Sequence, residues 1–239
     1  MTPGLADLPR AGGARGTGAD FTAVASLDEP TRRRIYDHVR AQNIPLGRDE
    51  VAEALQIARQ RAAFHLDRLA GQGLLSVTFA RRSGRSGPGA GRPAKLYQRS
   101  AREVSVSLPP RQYDLAGRLL AASLFEAEQS GQPVHEVLDG RARDLGFTRA
   151  SEQPGQGDVI ALMEVLENHG YEPQQAGRDV VLHNCPFHTM AQEHAELVCG
   201  MNLRLVQGVV DGLGRTGLRA LLDPSPGRCC VRLEPADKG

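Results

Sequence analysis

The sequence predicts an α+β chain in two parts. Helix-spaced apolar residues run through most of its length, and short strand-like runs interrupt them at three places. Charge is divided: residues 1–100 hold 16 Lys and Arg against 9 Asp and Glu, whereas residues 101–239 hold 13 against 19. A net charge of +1 hides that division. A basic first half suits a phosphate-bearing partner. All four cysteines, Cys185, Cys199, Cys229 and Cys230, fall in the last quarter.

Trp is absent, so the core must rest on Leu, Val and Ala. No stretch approaches the roughly 20 apolar residues of a membrane span. The Gly- and Ala-rich run from Met1 to Asp20 lacks the apolar core of a signal peptide. A cytoplasmic protein with no membrane partner is expected.

Residues 1–20 carry no apolar periodicity and are expected to be disordered. From Phe21 onward, structure is expected. Asp28 caps a helix with Pro30 in its first turn, and Ile35, Tyr36 and Val39 share one face. A second helix, Arg48–Leu55, turns Val51, Ala54 and Leu55 inward, with Gly47 or Asp49 as its cap. After a turn at 56–59, a third helix from Arg59 to Gly71 buries Ala62, Leu66 and Leu69. Strands Leu74–Ala80 and Ala94–Gln98 then flank a glycine-rich basic tip, Arg81–Pro93. Helix, helix, turn, helix and wing, in that order, predict a winged helix-turn-helix over residues 21–104.

The start of such a third helix enters the major groove, where Arg grips guanine and Gln grips adenine. Arg59, Gln60 and Arg61 are therefore the candidate base readers. Phe64 lies on the same side and either touches a thymine methyl or belongs to the core. His65 is expected to pack. Arg81, Arg82, Arg85, Arg92 and Lys95 have no acid among them and suit phosphate or minor-groove contact. Double-stranded DNA is the expected partner.

Beyond Leu108-Pro109-Pro110 the character changes, and residues 105–239 are expected to form a helical dimerisation region and a small α/β sensor domain. Helices are predicted over Tyr113–Glu128, His135–Leu145 and Val159–His169. A hairpin around Gly177, a helical stretch to Gly214, and strands Leu218–Leu222 and Arg228–Leu233 follow. Tyr113–Glu128 is either ordinary core or the dimer contact that a palindromic operator would require. No nucleophile–base spacing, phosphate loop or paired-carboxylate motif supports an enzyme. A metal-free ligand-binding domain, or an enzyme domain fused to a winged helix, is the alternative.

Thiolates hold zinc and iron–sulfur clusters. On a strand over Arg228–Leu233, alternation sends Cys229 inward with Val231 and Cys230 outward. One unbroken helix from Phe187 to Gly214 would set Cys199 about 18 Å from its start. Convergence of the thiols therefore requires a break before Cys199. His188 is the nearest further ligand in sequence, with His183 and His194 behind it. An iron–sulfur cluster, zinc, a thiol redox sensor using Cys229 and Cys230, and buried structural thiols all stay open.

Residues 28–99 resemble ArsR-like winged-helix repressors through Val51-Ala52-Glu53-Ala54-Leu55, Ala63-Phe64-His65-Leu66-Asp67-Arg68-Leu69 and the run from Gly84 to Pro93. Ala58 stands where such helices often open with Ser, a lost cap worth about 1 kcal/mol. More loosely, residues 105–233 resemble the sensor half of the iron–sulfur-binding repressors of Suf cluster-assembly operons. Asn184-Cys185-Pro186-Phe187-His188, Cys199 and Gly227-Arg228-Cys229 carry that likeness. It implies a cluster, 4Fe-4S in type, held by Cys185, Cys199 and Cys229 and reporting to the DNA-binding half. Cys230 stands where those repressors usually have Thr, and the segments after Cys199 and Cys229 differ. These departures fit a paralogue with the fold kept and the signal changed.

Overall fold

The computed structural model describes residues 18–80, 93–152 and 157–236. The chain is α+β and divides into two compact units between Val106 and Ser107.

The first unit opens with α1 (Gly18–Ser26), so order begins before Phe21. In α2 (Pro30–Ala41) the N-cap is Glu29 rather than Asp28, because the longer carboxylate accepts from both Thr31 N, at 3.1 Å, and Arg32 N, at 2.6 Å. Gly47 caps α3 (Arg48–Leu55), and the Glu50 carboxylate reaches back to the Gly47 N–H at 2.8 Å. Gln56 leaves α3 in the left-handed region, at φ 52°, and turns the chain into α4 (Arg59–Gly71). Ala58 offers α4 no side-chain cap.

Val51 and Ala52 of α3 are buried, whereas Ala54, expected inward, is exposed. The helix is short and packs mainly against α4, which rotates its apolar face by one position. Ile35, Val39, Ala62, Leu66 and Leu69 complete the helical part of this core. Below α4, β2 (Leu75–Ala80) and β3 (Ala94–Arg99) pair antiparallel with Val77 opposite Tyr97. The two-residue β1 (Leu46–Gly47), too short for any sequence period, covers the other edge of β3.

The second unit packs helices on one antiparallel sheet. Its helices are α5 (Tyr113–Ser130), α6 (Val134–Ser151), α7 (Val159–Asn168), α8 (His188–Glu193) and α9 (Ala195–Leu213). The sheet has the order β4 (Pro173–Ala176), β5 (Asp179–Leu182), β7 (Val231–Pro235), β6 (Leu218–Leu222). β7 starts at Val231, so the strand expected from Arg228 begins three residues later.

The core gathers Leu138, Leu145, Leu166, Tyr171, Phe187, Met201, Leu205, Val231 and Leu233. Its closest contact is between α6 and α9. A Cβ on Gly208 would overlap the Arg143 carbonyl, and one on Gly146 would overlap that of Leu205. Gly212 meets the Phe147 carbonyl in the same way. Glycine at these helical positions lets the two backbones touch.

Candidate functional site

Two groups of side chains stand out, one in each unit. In the first unit, Arg59, Gln60, Arg61 and Phe64 are all exposed on α4, with Phe64 62% accessible. Phe64 is therefore a surface residue and contributes nothing to the core. Its ring meets the buried His65 edge-on, at 5.2 Å between centroids. His65 packs against Glu29, and burial pushes its imidazole below its ordinary pKa.

Two described cations of this unit, Arg59 and Lys95, have acidic partners. The Arg59 guanidinium binds the Asp49 carboxylate, with Nη2 to Oδ2 at 3.2 Å, and holds Asp49 below the usual carboxylate range. Lys95 Nζ lies 2.5 Å from Asp67 Oδ1, which also accepts from the Tyr97 hydroxyl at 2.7 Å. Burial would raise Asp67, but those two donors hold it low. Burial and the same hydrogen bond push Tyr97 up. Arg81, Arg82, Arg85 and Arg92 lie outside the described residues.

In the second unit the four cysteines come together from three segments. Cys185 follows β5 in the loop Asn184-Cys185-Pro186. That loop is tied down: Asn184 Nδ2 donates to Gly170 O at 2.5 Å and Pro110 O at 3.1 Å. Arg111 donates to Asn184 Oδ1 at 2.6 Å and to Cys185 O at 3.3 Å. The helical stretch after it is broken at His194 (φ −135°, ψ 56°), which ends α8 and starts α9. Cys199 consequently sits on the second turn of a new helix, as convergence requires.

Cys229 and Cys230 precede β7, in a bend that follows the turn at Pro226 and Gly227. Strand alternation does not govern them, and Cys230 does not point away. The bend is held by Cys229 N to Leu182 O at 2.8 Å and Asp223 N to Cys230 O at 2.7 Å. Arg228 adds bonds to Asp223 and Ser225, both at 2.7 Å.

Cys185 and Cys230 lie near Cys229, and Cys199 lies near Cys230, close enough to act on one another's pKa. Thiol donation from Cys185 and Cys230 lowers the Cys229 pKa, against the opposing effect of burial. The hydrogen bond to Cys229 and burial push Cys185 and Cys230 up. Cys185 and Cys229 are buried, whereas Cys199 and Cys230 are half-buried.

Sequence reasoning missed the polar groups behind the thiols. Asn202, fully buried on α9, donates from Nδ2 to Cys229 Sγ at 3.2 Å. Its Oδ1 accepts from the Tyr171 hydroxyl at 2.5 Å. A polar residue on an otherwise apolar helix face was the available signal. Arg149, with its Nη1 unpartnered among the described residues, lies near Tyr171 and is pushed below its usual pKa by burial.

His183, His188 and His194, the expected further ligands, are exposed. No three His, Cys, Asp or Glu side chains among the described residues are set out as a metal-ion site. Beside Cys199, an open cleft of ≈ 690 Å³ is lined by His135, Leu138, Asp139, Glu196 and Leu197 with their neighbours. Among the described residues no helix is long and apolar enough to cross a membrane.

Compared with known proteins, the chain matches no family model, no curated protein and no solved structure.

Proposed function

We propose that this chain is a DNA-binding transcriptional regulator, a dimeric repressor whose second unit senses an iron–sulfur or redox signal through Cys185, Cys199 and Cys229. In this reading α3, the Gln56 turn and α4 form a helix-turn-helix, and β2 and β3 form the wing. The observation that carries it is the exposed row of Arg59, Gln60, Arg61 and Phe64 along α4. Placed in a major groove, the two Arg and the Gln meet base edges, and Phe64 meets a thymine methyl. Lys95 lies near the tip end of the β2–β3 pair, opposite Phe79, where a phosphate can replace Asp67 as its partner.

The thiol group fits an iron–sulfur cluster in kind. Soft thiolates are the donors such clusters take, they come from three segments, and Asn202 supplies an N–H to one sulfur. A bound cluster would supply a group that oxygen or iron shortage destroys. The chain's own part is to hold that group through a loop tied to Pro110 and Arg111, near the start of the second unit.

A dimer is supported by α5. Ala121, Leu124 and Phe125 form an exposed apolar stripe opposite its buried face of Leu115, Leu119 and Ser123. The cleft beside Cys199 favours a second reading, a metal-free ligand-binding domain on the same DNA-binding unit.

Selection from random duplexes, then titration of the selected duplex across salt, tests the function. Affinity should fall steeply with salt, and replacing Arg59 and Arg61 together with Ala should cost at least about tenfold. Unchanged binding by that double variant, or no duplex preferred over random sequence, would refute the reading.

A further inference from the structure

Three cations of the first unit, Arg48, Arg59 and Lys95, line one cleft of ≈ 490 Å³. They come from three elements: Arg48 opens α3, Arg59 opens α4, and Lys95 is the second residue of β3. We infer that this cleft seats a phosphodiester of duplex DNA, and that Arg48, which lies outside both the α4 row and the wing, is a further phosphate-contact residue. The inference rests on the DNA-binding reading above and deepens it.

Three observations carry it. The first is how the backbone gathers the cations. β1, β3 and β2 lie side by side in that order, with Gly47 paired to Leu96 and Leu96 to Thr78. The next row toward the tip of the hairpin pairs Lys95 with Phe79, and Arg48 is the residue that follows Gly47. Antiparallel register thus carries Arg48 toward Lys95. On α4, Arg59, Ala63 and Asp67 recur every fourth residue, so they share one helical face, and all three line the cleft.

The second is the state of the charges. Asp49 holds Arg59, and Asp67 holds Lys95. The Glu50 carboxylate accepts from the Gly47 N–H at 2.8 Å. Arg48 is exposed and makes no hydrogen bond or ion pair among the described residues. The acids of the cleft are therefore committed, and Arg48 is the cation left to receive an incoming anion. Once there, a phosphate competes with Asp49 and Asp67 for the other two cations, both of which are solvent-exposed.

The third is the lining. Ala63 adds no bulk, and Phe79, opposite Lys95, is 66% exposed. A sugar–phosphate backbone presents the matching alternation, a charged group next to a ring of carbon. Phe79 can cover a deoxyribose whose phosphate lies among the cations, whereas a free inorganic ion would leave that ring in water. A phosphate held between α3, α4 and β3 fixes how α4 enters the groove, with no sequence preference of its own.

Titration of the full chain with the selected duplex and with a random duplex of equal length, each at several salt concentrations, tests this. Wild type is compared with Arg48→Ala and Arg48→Lys, and far-UV circular dichroism checks that both variants fold. Arg48→Ala should weaken binding to both duplexes by a similar factor, about fivefold, and should lower the slope of log affinity against log salt by about one. Arg48→Lys should keep the slope. Backbone phosphates replaced one at a time by neutral methylphosphonate should then reveal a position that costs wild type affinity but costs Arg48→Ala little further. Arg48→Ala with wild-type affinity and slope would overturn the inference and leave the DNA-binding reading intact. A loss confined to the selected duplex would overturn it too, because Arg48 would then be reading bases, and so would the lack of any such methylphosphonate position. Wild type that binds no duplex would overturn both readings.

Discussion

Asn202 and Cys229 are joined by a buried N–H···S hydrogen bond of 3.2 Å, and the far side of the same amide accepts from Tyr171. Both polar ends of Asn202 are thereby satisfied inside an apolar core. Asn202→Leu would keep the volume but strand the Tyr171 hydroxyl, at a cost of about 2–3 kcal/mol. Urea unfolding measures it. The double variant with Tyr171→Phe should recover part of the loss, and no recovery would show that the two groups are not coupled.

Asp49 and Asp67 hold Arg59 and Lys95, the cations proposed to meet DNA, in the free protein. Asp49→Asn and Asp67→Asn should release Arg59 and Lys95 for phosphates. Duplex affinity should rise about threefold for each, with a steeper salt slope. Titrations at two salt concentrations decide it. Weaker binding by either variant would mean that the acid orients its cation for the duplex.

The contact between α6 and α9 leaves no room for side chains. Gly208→Val should cost more than about 3 kcal/mol, since the new atoms meet main chain that cannot yield. Gly140, on α6 with open space around it, gives the contrast. Gly140→Ala should stabilise by about 0.5–1 kcal/mol through helix propensity. Denaturant midpoints of the two variants should move in opposite directions.

His169 provides a pH dependence. Burial and then the Arg149 charge push its pKa down from 6.5 to about 4, while its Nδ1–H donates to Val165 O at 2.6 Å. The unfolded chain takes up this proton at higher pH than the folded one. The stabilising effect of neutral His169 is thus complete above about pH 6.5 and is lost as pH falls toward 4, by roughly 3 kcal/mol. In His169→Gln, unfolding free energy should flatten across that window. An unchanged slope would assign it to other groups.

Much of this was readable from residue order. The periods of α4 and α9, the Gly177 hairpin and the need for a break before Cys199 all follow from spacing and chain geometry. What escaped has specific causes. β1 is shorter than any periodic window. Asp28 and Glu29 are adjacent, and only the backbone decides which carboxylate reaches the helix start. Cys230 was sent outward by a strand rule that starts to apply one residue later. Gly146, Gly208 and Gly212 resemble helix weaknesses in sequence, and become contacts only when a second helix lies against them. Asn202 needed its partner, Cys229, from 27 residues away.

The bonds around Asn184 have a mechanical meaning. Pro110, Arg111 and Gln112 are fastened to the Cys185 loop through Asn184 Nδ2, Arg111 Nη1 and the Gln112 N–H, the last at 2.9 Å from Pro186 O. These residues begin the second unit, a few positions after the division at Val106 and Ser107. The strap and the thiol loop move as one part. Any event that breaks these bonds frees the Cys185 loop and the opening strap of the second unit together.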